Sequence, residues 1–217
     1  ILFGVSLKLA RGEVAALMGR NGAGKSTTLK AIMGLLPPRA GQVRFAGQEI
    51  AGMPAFRIAR LGLGYVPEDR RIFTDLTVAE NLEVGRRAAR GHAAWTPERL
   101  FELFPNLAAM RGRRAAAMSG GEQQMVAIAR TLMGNPDAVL LDEPSEGLAP
   151  VILELMAEAV LSMKREGIAV LLSEQNFDFA AAVADRAYVI ERGEIRYDGS
   201  MAALEADPAL RARHLTL

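Results

Sequence analysis

The sequence predicts an α/β fold in which helices cover a parallel sheet. An apolar run at residues 14–18, typical of a strand buried on both faces, is followed by a glycine-rich loop and then by a stretch without Gly or Pro. Later, an apolar run at 138–141, a helical pattern at 151–165 and a second apolar run at 168–172 follow one another. This strand–helix–strand alternation is typical of parallel sheets, because parallel neighbours need a crossover connection.

The remaining elements follow from short apolar runs bounded by glycines. In chain order, the predicted strands are 5–9, 14–18, 43–46, 63–66, 138–141, 168–172, 187–191 and 194–197. The pattern changes at about residue 77, because 77–82 and 97–104 are typical of helices and no strand lies between them. We therefore expect a helical insert there, and a last short helix after Asp207-Pro208.

Composition narrows the class of protein. The chain has 217 residues, of which 50% are hydrophobic, and this is enough for a substantial core. Its formal charge of +1, from 26 basic and 25 acidic residues, gives no support to a surface that binds nucleic acid. The absence of cysteine excludes disulfides and thiolate metal sites. The sequence starts at Ile1 inside an apolar stretch, and we expect that the native N-terminus is missing.

The glycine-rich loop carries a complete phosphate-binding pattern, G-x-x-x-x-G-K-[ST]. It consists of Gly19, Arg20, Asn21, Gly22, Ala23, Gly24, Lys25, Ser26 and Thr27. We expect the backbone N–H groups of residues 20–26 to surround a polyphosphate at the start of the following helix. Lys25 would add a positive charge at the terminal phosphates, and Ser26 would offer its hydroxyl to Mg²⁺. The alternative is an ordinary glycine turn.

A pair of acids, Asp142 and Glu143, follows the apolar run at 138–141. Ligands of open α/β sheets bind at the carboxyl edge of the strands, where these residues should lie. Adjacent residues on an extended backbone point to opposite sides, so we expect different roles for them. Asp142 would hold Mg²⁺, and Glu143 would orient the attacking water. An acidic turn after a core strand is the structural alternative.

A second helix start lies at Ser119, Gly120, Gly121 and Glu122. Ser119 is a good N-cap, and Glu122 three positions later completes a capping box. The segment therefore has a purely structural explanation, although the N-terminus of a helix also attracts anions.

The order of these three motifs resembles the ATP-binding subunit of ABC transporters over essentially the whole chain. The resemblance implies a P-loop NTPase fold of the ABC-ATPase type, with a RecA-like core, an antiparallel β subdomain and a helical subdomain insert. Residues 1–76 and 116–217 would form the catalytic core of one ABC ATPase domain, and 77–115 the helical subdomain that meets integral-membrane permease subunits. The implied ligands are ATP and Mg²⁺.

The same resemblance implies that two ATPase chains sandwich two ATP molecules. Residues 119–122 of one chain would then cap the γ-phosphate held by the other chain's loop, so Ser119, Gly120, Gly121 and Glu122 are candidate nucleotide-binding residues. The chain would be peripheral, at the cytoplasmic face of the inner membrane. Because the sequence lacks room for a long coiled-coil insert or a second cassette, a related ATPase that acts on nucleic acid is the weaker alternative.

Departures from the general family pattern indicate one branch. Glu68 stands where a glutamine is usual, and with Ser26 and Asp142 we expect it at the Mg²⁺ site. Gln175 replaces the usual histidine; its amide can donate a hydrogen bond but cannot transfer a proton near neutral pH. With Glu122 and Ala149, these features are similar to the second ATPase of bacterial branched-chain amino-acid uptake systems, which also employ a periplasmic binding protein. Relatives that transport urea or short amides are the alternative.

Overall fold

A computed structural model describes residues 1–89 and 94–214. The strands, in chain order, are β1 (Val14–Met18), β2 (Arg44–Phe45), β3 (Gln48–Glu49), β4 (Leu63–Val66), β5 (Ala138–Asp142), β6 (Ala169–Glu174), β7 (Arg186–Glu191) and β8 (Glu194–Ser200). The helices are α1 (Lys25–Ile32), α2 (Ala55–Leu61), α3 (Val78–Gly85), α4 (Pro97–Leu103), α5 (Pro105–Ala109), α6 (Gly120–Leu132), α7 (Pro150–Arg165), α8 (Phe177–Val183), α9 (Met201–Ala206) and α10 (Pro208–His214). Of these described helices, none is long and apolar enough to cross a membrane.

Six strands form one sheet in the order β4-β5-β6-β1-β7-β8. All neighbouring pairs are parallel except β7 and β8, which are antiparallel. The strands β2 and β3 form a separate antiparallel pair. In the main sheet, Asp142 lies beside Ser173, and Met18 lies beside Glu174. The carboxyl ends of three central strands therefore meet at one edge, as the apolar runs predicted.

The central strands are buried on both faces, as expected for a parallel sheet between helical layers. Along β1, Val14, Ala16 and Met18 enter one hydrophobic cluster, whereas Ala15 and Leu17 enter the other. This alternation follows from the two-residue period of a strand. Full burial of each large side chain contributes about 1.5–3 kcal/mol to stability. These contacts hold in place the sheet edge at the ends of β1, β5 and β6.

The chain between β4 and β5 contains helices, and within it the backbone at 76–78 is hydrogen-bonded to the backbone at 113–115. Thr77 and Arg114 form an antiparallel bridge. The N–H of Val78 donates to the carbonyl of Arg113 at 3.1 Å, and the N–H of Ala115 donates to that of Leu76 at 2.9 Å. The helical segment thus leaves and re-enters the sheet domain at one point. Its first helix, α3, packs against α6, the helix that Ser119 caps.

The predicted strand at 5–9 is not a strand in the structure. The segment alternates between half-buried and exposed residues, as a strand would. At Lys8, however, the backbone groups bond to a side chain and not to a neighbouring strand. The N–H of Lys8 donates to the Tyr188 hydroxyl at 3.0 Å, and that hydroxyl donates to the Lys8 carbonyl at 2.8 Å. Of the other predicted strands, 14–18 and 63–66 have the predicted ends, and the rest are present with shifted ends; 43–46, for example, shortens to β2.

Candidate functional site

The predicted phosphate-binding loop connects β1 to α1 through two glycines with a left-handed backbone. Gly22 has φ 78°, and Gly24, the N-cap of α1, has φ 115°. A Cβ at Gly24 would lie 2.9 Å from Cδ2 of Leu2 and 3.3 Å from Cδ1 of Ile190. The left-handed conformation of Gly24 therefore favours glycine at this position, and a Cβ would also displace the ends of these two side chains.

Lys25 is buried inside the loop, with 3% of the residue exposed. Its ammonium donates to the carbonyl of Gly19 at 2.7 Å and to that of Arg20 at 3.2 Å. It also forms an ion pair with Oε1 of Glu143 at 3.1 Å. Two predicted residues that are more than a hundred positions apart in the sequence are thereby in direct contact.

One part of the prediction for the loop amides is wrong. The N–H of Ala23 does not point into an open cradle, because it donates to the carbonyl of Arg20 at 3.1 Å and closes a tight turn. The methyl group of Ala23 packs in the core, and the Arg20 side chain faces solvent. Within the loop, the residues that line the adjacent cleft are Asn21, Gly22, Gly24, Lys25, Ser26 and Thr27.

Asp142 is fully buried at the end of β5, where three hydroxyl groups donate to it. Its Oδ1 accepts from Ser26 at 2.9 Å and from Ser173 at 2.7 Å, and its Oδ2 accepts from Tyr65 at 3.1 Å. Burial, and then the negative charge of Asp142, raise the pKa of Tyr65, so this hydroxyl stays a donor at high pH. Ser173 and Tyr65 were not predicted at the site, because neither belongs to a motif.

Glu143 departs from the extended backbone that was predicted for it. Its φ is 48°, a left-handed conformation that costs a residue other than glycine about 1–3 kcal/mol. Its N–H donates to both the carbonyl and the hydroxyl of Ser173, each at 3.1 Å. Although this premise was wrong, the two acids do have different partners: Oε2 of Glu143 accepts from the amide of Gln175 at 2.7 Å, and Oε1 meets Lys25.

The loop and the acids surround a cleft of about 330 Å³. Besides the loop residues, Glu68, Glu143 and Glu146 line it. Burial, followed by the charges of Glu146, Glu143 and Asp142, raises the pKa of Glu68. The negative charge gathered in this cleft favours a bound cation, whereas the Lys25 ammonium favours the phosphates.

The oxygen atoms at this edge fit a magnesium ion. Ser26 and Asp142 supply a hydroxyl and a carboxylate whose oxygen atoms lie 2.9 Å apart, and Glu68 lines the same cleft. Within residues 1–89 and 94–214, no group of three acidic or histidine side chains could hold a metal by itself. Mg²⁺ does not require such a cage, because it is commonly held by one or two protein ligands together with phosphate and water.

The predicted capping box at the start of α6 is confirmed. The N–H of Glu122 donates to the Ser119 hydroxyl at 3.3 Å, and Oε2 of Glu122 accepts from the N–H of Ser119 at 2.6 Å. Ser119 is exposed, and residues 119–122 are absent from the described lining of the cleft. The structure therefore does not bring this motif to the phosphate loop of the same chain.

Comparison with known proteins identifies the family that has this fold and these motifs. Residues 2–146 match the family model described as ABC transporter. The crystal structure of the ADP conformation of MJ1267, an ATP-binding cassette of an ABC transporter, has a TM-score of 0.80 and 28% sequence identity, and covers 96% of this chain and 90% of that one. The predicted α/β fold of the ABC-ATPase type is therefore confirmed.

Two relatives match nearly the whole chain. The high-affinity branched-chain amino acid transport ATP-binding protein BraG of Pseudomonas aeruginosa is 44% identical over 215 residues, which are 99% of this chain and 92% of BraG. The probable branched-chain amino acid transport ATP-binding protein LivF of Archaeoglobus fulgidus is 34% identical over 210 residues, with 92% of this chain and 86% of LivF covered. The chain therefore belongs to the ABC transporter family, as one of its ATP-binding and ATP-hydrolysing subunits.

Proposed function

We propose that this ATPase drives the uptake of branched-chain amino acids. The observation that supports the ATPase chemistry is the contact between Lys25, Glu143 and Gln175 beside the Ser26–Asp142 pair. The cargo is supported by the likeness to BraG and LivF, whose names both specify branched-chain amino acid transport. Urea or a short amide is the alternative cargo.

In the proposed reaction, the loop binds ATP, and the acids either hold Mg²⁺ or orient water. The amides of the loop and the positive end of α1 attract the phosphates, and Lys25 exchanges its contact with Glu143 for phosphate oxygens. Ser26, Asp142 and Glu68 would hold Mg²⁺, which when bound neutralises charge on the phosphates. Each of these groups lies at the carboxyl edge of the sheet or lines its cleft.

Glu143 is proposed to orient the water that attacks the γ-phosphorus. A new phosphorus–oxygen bond forms to that water, the bond to the β–γ bridging oxygen breaks, and ADP and phosphate leave. The amide of Gln175, released from Glu143, would donate a hydrogen bond to the γ-phosphate. Because an amide does not titrate near neutral pH, proton transfer is not assigned to Gln175.

ABC ATPase subunits of transporters dimerise and work with membrane permeases. We infer that Ser119, Gly120, Gly121 and Glu122 cap the nucleotide of a partner chain. The exposure of Ser119 supports this arrangement, as do the first N–H groups of α6, which have no partner within the helix by its geometry. A paralogue is the proposed partner chain, and a second copy of this chain is the alternative. A periplasmic binding protein would act on the far side of the membrane. No nucleic acid is assigned as a partner.

We propose that the helical segment 77–115 contacts the permeases at the cytoplasmic face of the inner membrane, with 1–76 and 116–217 as the catalytic core. A groove of about 330 Å³ beside this segment supports the proposal, because Val84 and Gly85 of α3 line it together with residues of α6 and β4 from the proposed core. Phe73 and Val84 on its rim are 48% and 56% exposed, which is unusual for large apolar side chains. A permease segment that covers them would gain apolar contact.

Uptake in cells tests the cargo. A bacterial strain that lacks its own second branched-chain amino-acid ATPase would receive this protein, and the uptake of radiolabelled leucine, urea and acetamide would be measured. We expect leucine uptake to return with the wild-type protein and not with Lys25→Ala. Uptake of urea or acetamide instead of leucine would favour the alternative cargo, and co-purification with nucleic acid instead of permeases would contradict the transport role.

A further inference from the structure

Glu174, the last residue of β6, is a buried carboxylate that gathers hydrogen bonds from two neighbouring loops. The residue is only 2% exposed. Its Oε1 accepts from the N–H of Ser145 at 3.0 Å, and its Oε2 accepts from the hydroxyl of Ser145 at 2.8 Å. Oε2 also accepts from the N–H groups of Gln175 and Asn176, at 3.1 and 3.2 Å. One side chain thus serves four donors.

All four donors are neutral, so they do not cancel the charge of Glu174. In the part of the chain that the structure describes, no cation forms an ion pair with this carboxylate. Burial raises the pKa of Glu174, while the hydrogen bonds from Ser145, Asn176 and Gln175 oppose that rise. A glutamine would fill the same volume, but it would turn an NH₂ group toward at least one of the donors. The donor pattern therefore requires a carboxylate.

The two loops that Glu174 joins carry the proposed hydrolytic pair. Ser145 lies two residues after Glu143, and Gln175 follows Glu174 directly. The Gln175 amide then returns to Oε2 of Glu143 at 2.7 Å. Glu174 therefore closes a ring of contacts in which the backbone positions of both loops are fixed relative to each other.

We propose that Glu174 is a positioning residue that keeps Glu143 and Gln175 aligned for ATP hydrolysis. It does not touch the nucleotide cleft, whose described lining does not include it. The inference rests on the hydrolytic roles proposed above for Glu143 and Gln175. A displacement of about 1 Å in such a group can reduce the rate of a reaction by about 100-fold, so a small shift of either loop is enough to matter.

The test uses the full-length protein with two substitutions of Glu174. We expect Glu174→Gln to lower kcat for ATP by about tenfold or more while KM changes by less than about threefold, because alignment is lost and phosphate binding is not. Glu174→Asp, which keeps the acceptor charge, should recover part of this kcat. The matched control is Glu13→Gln, at the opposite edge of the sheet, where the carboxylate accepts from Ala10 and Arg186; its kcat should equal that of the wild type.

A double-mutant cycle separates alignment from simple loss of stability. If Glu174 acts through Gln175, Glu174→Gln will reduce kcat less in a Gln175→Ala background than in the wild type. Equal fold reductions in both backgrounds, or a Glu174→Gln variant with normal kcat per folded molecule, would overturn the inference. Should Glu174→Gln not fold, Ser145→Ala removes one of the four donors alone, and a kcat unchanged by it would count equally against the inference.

A different result would contradict the proposed hydrolytic role of Glu143. If Glu143→Gln turned over ATP at the wild-type rate, the hydrolytic role of Glu143 would be wrong whatever Glu174 does. If Glu143→Gln is inactive and Glu174→Gln is normal, only the positioning role fails.

Discussion

The nucleotide cleft and the start of α6 satisfy their polar groups in different ways. In the cleft, Lys25, Asp142 and Glu143 bond to residues from distant parts of the chain. At the start of α6, Ser119 bonds to Glu122 three residues away and is otherwise exposed. The cleft is therefore built by the fold, whereas the helix start is built by its own sequence. The first depends on this chain alone, and in our proposal the second acts only on a partner's nucleotide.

Lys25→Ala should have the largest effect on the cleft. It removes the cation that faces Glu143 and the two loop carbonyls, and we expect ATP turnover to fall by about 1,000-fold. Phosphate release by the full-length protein measures this loss. Lys8→Ala, an exposed lysine outside the cleft, is the control and should keep normal turnover. A Lys25→Ala protein that hydrolysed ATP normally would remove the central assignment.

Glu143→Gln should separate binding from hydrolysis. The amide keeps the volume of the side chain but lacks the charge that orients water, so we expect turnover to fall by about 100-fold or more. ATP binding should persist, and the nucleotide recovered with the protein after gel filtration should be ATP and not ADP. Glu154→Gln, on the exposed face of α7, makes the same chemical change away from the cleft. Recovery of ADP from the Glu143→Gln protein would assign the role elsewhere.

Gln175 allows a test of hydrogen bonding against proton transfer. We expect Gln175→Ala to reduce turnover by about tenfold, which corresponds to the loss of one charge-assisted hydrogen bond. Gln175→His should restore it, and only that variant should gain an inflection near a pH of about 6.5 in its rate profile, where histidine titrates. An inflection assignable to position 175 in the wild type would contradict the amide's proposed role.

Removal of a helix cap should have the smallest effect of these changes, and it allows a direct comparison between the starts of α6 and α3. Thr77 and Glu80 form a second capping box at α3, with the same two hydrogen bonds as Ser119 and Glu122. Ser119→Ala and Thr77→Ala should each lower the free energy of unfolding by about 1 kcal/mol. Only Ser119→Ala should also lower ATP turnover in the assembled pair of chains. Equal losses of turnover would reduce the Ser119 motif to a helix cap.

Short sequence patterns predicted the features that depend on residues close together in the sequence. The phosphate loop, the start of α6 and the edge position of Asp142 follow from glycine spacing, capping chemistry and apolar runs. The segment 5–9 alternates correctly and is still not a strand, and at Lys8 the Tyr188 hydroxyl takes both backbone hydrogen bonds. Alternation reports burial on one side, and it does not report which partner satisfies the backbone.

Contacts that depend on the assembled fold could not be predicted from the sequence. The left-handed backbone of Glu143 depends on Ser173 in the next strand, and nothing in the residue type indicates it. The burial of Glu174 could not be predicted either. This acid at the end of β6 is covered by hydrogen-bond donors from two loops that are distant in sequence. Only the geometry distinguishes an acid that performs chemistry from one that holds others in place.

The capping box at Ser119 has a consequence for a cycle of association. In our proposal two such chains separate after hydrolysis, and the two hydrogen bonds between Ser119 and Glu122 lie within one chain, so they do not depend on the partner. The helix start therefore keeps its structure in the opened state and need not form again before the next round. An ATPase that closes and reopens at every turnover would benefit from a contact surface that has the same structure in the associated and the separated state.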